Sequence, residues 1–206
     1  GIFYGKGEVC AAGSRLLIES SIHDEFVAKL SERANKLQPS DPMDPKSRLG
    51  ALVSETQMNK VLGYVETGVK EGARVVAGGK RTPIGGKGYF VQATVLDGVD
   101  NRMRVAQEEI FGPVLSVITF EDADDAVKKG NDIIYGLAAG VWTRDIKKAH
   151  SVARRLQAGT VWINAYNFFD AGMPFGGYKA SGFGRDLGPE SLREYTQVKS
   201  VWVSTD

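Results

Sequence analysis

The 206-residue sequence holds a single cysteine, Cys10. One thiol cannot close an internal disulfide, so a reducing compartment, the cytoplasm, is expected. The only two histidines, His23 and His150, lie far apart in the sequence, and no metal site is expected from them. No run of about 18 apolar residues is present to cross a membrane. The first residues lack the basic and apolar regions of a secretory leader. There is no surplus of either charge: 26 Lys and Arg against 25 Asp and Glu leave +1. That balance supplies no field to draw in nucleic acid or an acidic membrane surface. Neither the G-x-G-x-x-G fingerprint after a strand nor a phosphate-binding P-loop occurs. No internal repeat or low-complexity tract divides the chain.

What is present reads as one large globular unit, with 42% apolar and 25% charged residues. Apolar spacing alternates between periods of two and of about 3.6 residues. Strands are expected over 14–19, 74–77, 89–96, 115–120, 138–142, 160–163 and 199–204. Helices are expected from Ser21, from Ser54 to about Gly72, over 122–131 and 145–156, and briefly from Pro189. Ser21 with Asp24 and Ser54 with Gln57 have the spacing of capping boxes. Residues 39–45 carry three prolines and two aspartates and read as a loop. The fold class is therefore α/β, a largely parallel open sheet with flanking helices. The strand at 199–204 has no helix after it to return it to the sheet. Its Val201, Trp202 and Val203 are expected to pair with another subunit.

Three stretches carry chemistry. Around Cys10, glycines 1, 5, 7 and 13 let the backbone approach something closely. Read alone, Cys10 is either a nucleophile activated by nearby N–H groups or a small buried filler, and no histidine adjoins it as a base. In AQEEIFGPVLSV, two carboxylates precede an aromatic and a Gly-Pro turn at the mouth of a strand. Such a turn either binds hydroxyls and a flat ring or is an exposed acidic turn. The third stretch, 164–188, sets Tyr166, Phe168, Phe169 and Phe175 among glycines. A loop so long and aromatic reads as a substrate wall, a subunit contact, or both.

Together the stretches resemble the aldehyde dehydrogenase superfamily, in its catalytic domain. The cysteine motif of that family matches Phe3, Gly7, Glu8, Cys10, Ala12 and Arg15. Its E-E-I-F-G-P-V matches Glu108 to Val114 without a gap. Its N-x-Y…P-F-G-G-x-K-x-S-G-x-G-R matches Asn164, Tyr166, Pro174 to Gly177, Lys179, Ser181, Gly182, Gly184 and Arg185. GYFVQATVL, YGLAAGVWT and LQAGTVWIN are also similar to family segments, so the resemblance spans the whole chain. Glu8 stands where the family often has glutamine, and Gly5 where it often has asparagine.

The resemblance implies NAD(P)-dependent oxidation of an aldehyde to a carboxylic acid. Cys10 would form a thiohemiacetal and then a thioester, with its own N–H helping to hold the oxyanion. Glu109 would grip the nicotinamide ribose and Phe111 would lie by the nicotinamide. Phe169, Phe175 and Tyr166 would line the aldehyde tunnel, and Asn164 would be structural. The cofactor would be NAD or NADP, held mainly by an N-terminal dinucleotide-binding domain absent from this chain. The whole of 1–206 would be the catalytic domain, cut just before its nucleophile and inactive by itself. The intact enzyme would be a homo-dimer or homo-tetramer. Two other classes fit less: a non-catalytic assembly paralogue has no need of thiol, carboxylate and tunnel aromatics together, and a cysteine hydrolase would need a histidine beside the thiol.

Overall fold

The computed structural model describes all 206 residues. Four strands form the main sheet: β1 (Arg15–Glu19), β2 (Arg74–Ala77), β3 (Thr94–Asp97) and β4 (Val114–Phe120), in the order β1-β4-β3-β2. β4 runs parallel to β1, with Ser116 opposite Arg15, and parallel to β3, with Val114 opposite Thr94. β2 closes the far edge antiparallel to β3. β4 is buried from Val114 to Ile118, as a strand covered on both faces must be.

The two covers are α1 (His23–Lys36) and α2 (Glu55–Lys70). Alternate side chains divide between them. Leu96, Val114 and Ile118 pack with Met58, Val61 and Val65 of α2. Val95 and Val117 pack with Val27 and Ala34 of α1. After β4 the chain adds α4 (Ala123–Asn131), β5 (Tyr135–Gly136), β6 (Ala138–Val141), α5 (Ile146–Arg155) and β7 (Thr160–Ile163), the short α3 (Arg104–Gln107) having preceded β4. β6 and β7 form a parallel pair, and β8 (Tyr178–Lys179) pairs antiparallel with β5. No helix is long and apolar enough to cross a membrane.

Caps fix most helix starts. Ser54 Oγ accepts the Gln57 N–H at 3.1 Å. Asp122 and Asp145 accept two amides each at the starts of α4 and α5. The expected start at Ser21 is displaced. Ser20 Oγ donates to Phe120 O and Ser21 Oγ to Glu19, so both hydroxyls are spent and α1 begins uncapped at His23.

Three further expectations are corrected. Of the expected strand 89–96 only the last three residues join the sheet, within β3, because those before them pair back onto 80–82: Gln92 N–H donates to Lys80 O, and Thr82 N–H to Phe90 O. The loop over 164–188 is not irregular throughout, since it contains β8 and a bridge between Phe175 and Asp186. Residues 199–204 form no strand; no segment of the chain pairs with them, and Trp202 is 94% exposed.

One ion cluster ties α1 to the sheet. As an imidazolium, His23 donates from Nδ1 to Asp24 at 2.8 Å and from Nε2 to Asp97 at 2.7 Å. Arg74 of β2 donates to the other oxygen of Asp97 at 2.7 Å. The bonds to Asp24 and Asp97 raise the imidazole above its ordinary value of about 6.5. Burial pushes the Asp97 carboxyl up, but the bonds from His23, Arg74 and the Gly98 N–H outweigh it and leave it low. A neutral imidazole cannot donate from both nitrogens. With the folded value raised, the histidine's contribution is full below about 6.5 and is lost as pH rises through the folded value. Denaturation midpoints compared at pH 6 and pH 9 should therefore show a smaller advantage of the parent over His23→Gln at the higher pH. An advantage that grows with pH contradicts this account.

Candidate active site

Cys10 sits exposed on a turn that enters β1. Ala12 N–H closes the turn on Val9 O at 2.9 Å, and the Cys10 N–H has no acceptor within the chain. The preceding residues are firmly held. Glu8 has a side chain only 7% exposed; its Oε1 accepts the Val53 N–H at 3.1 Å and its Oε2 meets Lys6 Nζ at 2.9 Å. Two carboxylate oxygens thus answer two donors, which suits an acid at this position. Val53 adjoins Ser54, the cap of α2, so the thiol segment is tied to that helix.

The acidic turn enters β4 beside it, and its two carboxylates are not alike. Glu108 accepts two bonds from Arg104, at 2.8 and 3.0 Å, and one from Tyr64 at 2.7 Å. Those donors, Arg104 first, hold its carboxyl down to about 2. The Glu109 carboxylate is exposed and makes no ion pair or hydrogen bond; only its backbone oxygen is used, accepting from Lys60 Nζ at 3.1 Å. Phe111 is exposed and adopts a left-handed backbone, φ 58°. That conformation costs on the order of 1 kcal/mol for a residue with a side chain. Gln57 Nε2 offsets it by donating to Ile110 O at 3.0 Å and Phe111 O at 2.8 Å.

The two turns meet backbone to backbone. A Cβ on Gly7, whose φ is 73°, would lie 2.1 Å from Gly112 O. Both turns lie at the amino ends of parallel strands, whereas ligands in open α/β sheets usually sit at the carboxyl ends.

The aromatic loop reaches the same place from the carboxyl end of β7. Asn164, with φ 52°, accepts from Thr143 N at 3.0 Å and donates to Thr143 O at 2.9 Å, a structural clamp. Trp162 Nε1–H donates to Phe168 O at 2.8 Å. Phe169 sets an edge against Trp162 (5.6 Å) and Phe175 (5.2 Å). Tyr166 lies between Trp162 (4.8 Å) and Trp142 (6.0 Å), and its hydroxyl donates to Ala11 O at 2.7 Å. Burial pushes that phenol up to about 12. The loop is thereby joined to the residue after Cys10. Trp142 and Trp162 are not among the expected site residues. The period-two pattern around Trp162 marks it as core, and nothing local to Trp142 shows that it stacks on Tyr166. Two open hollows of about 580 and 500 Å³ lie elsewhere, around Gly177–Arg185 and between α2 and Lys80–Arg81. Concavity alone does not mark the thiol.

A family model described as the aldehyde dehydrogenase family matches residues 1–201. The chain belongs to the aldehyde dehydrogenase family. It is 47% identical over its full length to the betaine aldehyde dehydrogenase of Mesorhizobium japonicum, covering 42% of that protein. It is 48% identical to the aldehyde dehydrogenase 1A1 of Oryctolagus cuniculus, with 98% of this chain and 40% of that protein aligned. The structure of the NAD+ complex of an aldehyde dehydrogenase from Bacillus cereus superposes with a TM-score of 0.95 at 48% identity, over 100% of this chain and 42% of that one. An indole-3-acetaldehyde dehydrogenase in complex with NAD+ superposes at 0.94 with 51% identity, over 98% and 41%. The chain thus spans about two fifths of the length of the curated relatives it matches.

The Gly7–Gly112 contact yields a direct test. Gly7→Ala demands a left-handed alanine and collides with a carbonyl oxygen, so it should cost at least about 2 kcal/mol. Equilibrium denaturation checks this, and a loss below about 0.5 kcal/mol would show that the two turns part without penalty.

Proposed function

We propose that this chain carries the nucleophile of an NAD(P)-dependent aldehyde oxidation. The observation that carries the reading is the sole thiol, exposed on a turn just after the pinned Glu8, with its own N–H unengaged and the Glu109 carboxylate of the neighbouring turn unpaired. Cys10 adds to the aldehyde carbonyl, and its free N–H donates to the oxyanion that forms. NAD(P)+, when bound, supplies the hydride acceptor that takes the thiohemiacetal to a thioester. A carboxylate without other partners suits ribose hydroxyls, so Glu109 is assigned to the nicotinamide ribose. Exposed Phe111 is assigned to the face of the nicotinamide end. Water then releases the acid from Cys10.

Phe169 and Phe175, both solvent-accessible and edge to face, are assigned to the aldehyde wall. Their shape favours aromatic or medium aliphatic aldehydes, in keeping with a relative named for indole-3-acetaldehyde, and the relative named for betaine aldehyde makes that small quaternary ammonium aldehyde the alternative. The greater part of each relative's length has no counterpart among these residues, and no glycine fingerprint is present. The pyrophosphate grip and the base that activates water are assigned to that other part. The exposed Val201, Trp202 and Val203 are assigned to contact with a second copy, giving a homo-dimer or homo-tetramer.

Cys10→Ala, made in a polypeptide that oxidises aldehydes and contains these residues, should abolish turnover while cofactor binding survives. Glu109→Gln should lower oxidation by roughly 10- to 100-fold and leave thiol-dependent ester hydrolysis in place. Equal and complete loss of both would make Glu109 a base instead. The 206-residue chain by itself, incubated with aldehyde and NAD+ or NADP+, should give no steady cofactor reduction, because a few contacts do not repay the ordering of a dinucleotide. Sustained cysteine-dependent reduction would overturn that division of labour.

A further inference from the structure

We infer that Tyr166 is a positioning residue for the nucleophile, acting through the carbonyl of Ala11; this rests on the reading of Cys10 above. Tyr166 spends its hydroxyl proton on Ala11 O at 2.7 Å, one residue beyond the thiol, so that proton is not free for a ligand. Two indoles pack on its ring: Trp142 with planes 18° apart at 6.0 Å, and Trp162 tilted by 50° at 4.8 Å. The backbone that delivers it is clamped at Asn164, whose amide bonds both backbone groups of Thr143. A phenol with two χ angles, packed against two indoles, is a stiff strut, so little freedom remains to be lost when its hydroxyl is used.

The receiving side is shaped for it. The Val9–Ala12 turn has one closing bond, Ala12 N–H to Val9 O, and the Cys10 N–H has none. A turn so lightly tied needs an outside hold to keep its corner residue in one orientation. Gly13 makes the room: a Cβ there would lie 3.2 Å from the Tyr166 hydroxyl and 3.4 Å from the ring carbon that bears it. Gly13 does not have a left-handed backbone, so its missing side chain answers to space and not to conformation. The hydroxyl is desolvated, as its raised pKa also indicates, so the bond to Ala11 is not readily exchanged for water. The strut joins the aromatic loop that bears Phe169 to the turn that bears the thiol. The aldehyde wall and the attacking atom are thereby placed in one frame.

The test uses Tyr166→Phe, which keeps the ring and removes only the hydroxyl, and Gly13→Ala, which presses on that hydroxyl from the other side. Backbone amide relaxation by NMR is measured on the 206-residue chain. The Cys10 and Ala11 order parameters should fall from about 0.85 toward 0.6 in Tyr166→Phe, with the sheet unchanged. Gly13→Ala should lower them too. The double variant should be no looser than Tyr166→Phe alone, because the colliding oxygen is gone. Unchanged order parameters in Tyr166→Phe, or strictly additive effects, overturn the proposal. In a polypeptide active in aldehyde oxidation, Tyr166→Phe should lower kcat about tenfold with KM for aldehyde and cofactor within about twofold. A raised aldehyde KM at unchanged kcat would make Tyr166 a substrate contact and overturn it as well. Cys10→Ala is run alongside. If that variant keeps its turnover, the nucleophile reading fails, while the order parameters still judge the strut independently.

Discussion

Gly7 and Gly112 touch through their main chains, and the site is arranged around that contact. A carbonyl oxygen of one turn occupies the volume that a side chain on the other would need. Neither turn belongs to a strand, yet each feeds directly into one: the thiol turn into β1 and the acidic turn into β4. Because β1 and β4 are paired in register, the two turns are held side by side before any side chain acts. The sheet sets the coarse distance between thiol and acidic turn, and the glycine contact sets the fine one. Gly112 is pressed from its own side too, with Val61 of α2 filling the space where a Cβ would point.

α2 is the common support. Its first turns and the residue before its cap reach both turns: Val53 N–H holds Glu8, Gln57 holds the carbonyls of Ile110 and Phe111, and Lys60 holds that of Glu109. Each bond contributes on the order of 1 kcal/mol net, too little to define a site by itself. Shared by one helix that is sealed into the core through Met58, Val61 and Val65, they act together. Disturbing one turn is therefore expected to be felt by the other. Phe111 illustrates the balance. Its left-handed backbone is unfavourable in isolation and is offset by Gln57, which meets the two successive carbonyls of Ile110 and Phe111.

Much of this was legible in the sequence, and the misses share a cause. The Ser54 cap and the starts of α4 and α5 came from local signals, and local bonds form them; β2 and β7 were legible as short apolar runs whose partners, β3 and β6, lie about twenty residues away. Ser21 has the same cap spacing as Ser54 but loses its hydroxyl to Glu19, while Ser20 is drawn to β4, a partner 100 residues away. The run over 89–96 looks like one strand because its apolar pattern is continuous. Hydrogen bonds divide it, the first part pairing with 80–82 and the last with β4. The aromatic loop looks irregular because β8 is two residues long and has meaning only beside β5. The tail at 199–204 has strand-like composition and no strand, since a strand requires a partner and the chain supplies none.

The pair Glu108-Glu109 shows most plainly what a sequence omits. Two identical side chains stand next to each other, and nothing in their order says which would remain available to a ligand. The backbone at Glu108 is extended, φ -109° and ψ 149°, so the two side chains leave on different sides. Glu108 turns back onto Arg104, four residues earlier, and Tyr64 of α2, and is consumed there. Its low pKa measures that consumption: a carboxylate with three donors has little left to give a newcomer. Glu109 keeps its full accepting capacity, since nothing in the chain bonds its carboxylate, while its backbone is pinned by Lys60. A residue fixed by its main chain and free at its tip suits recognition, because binding need not also order the backbone. The first glutamate thus secures the turn on which the second is presented.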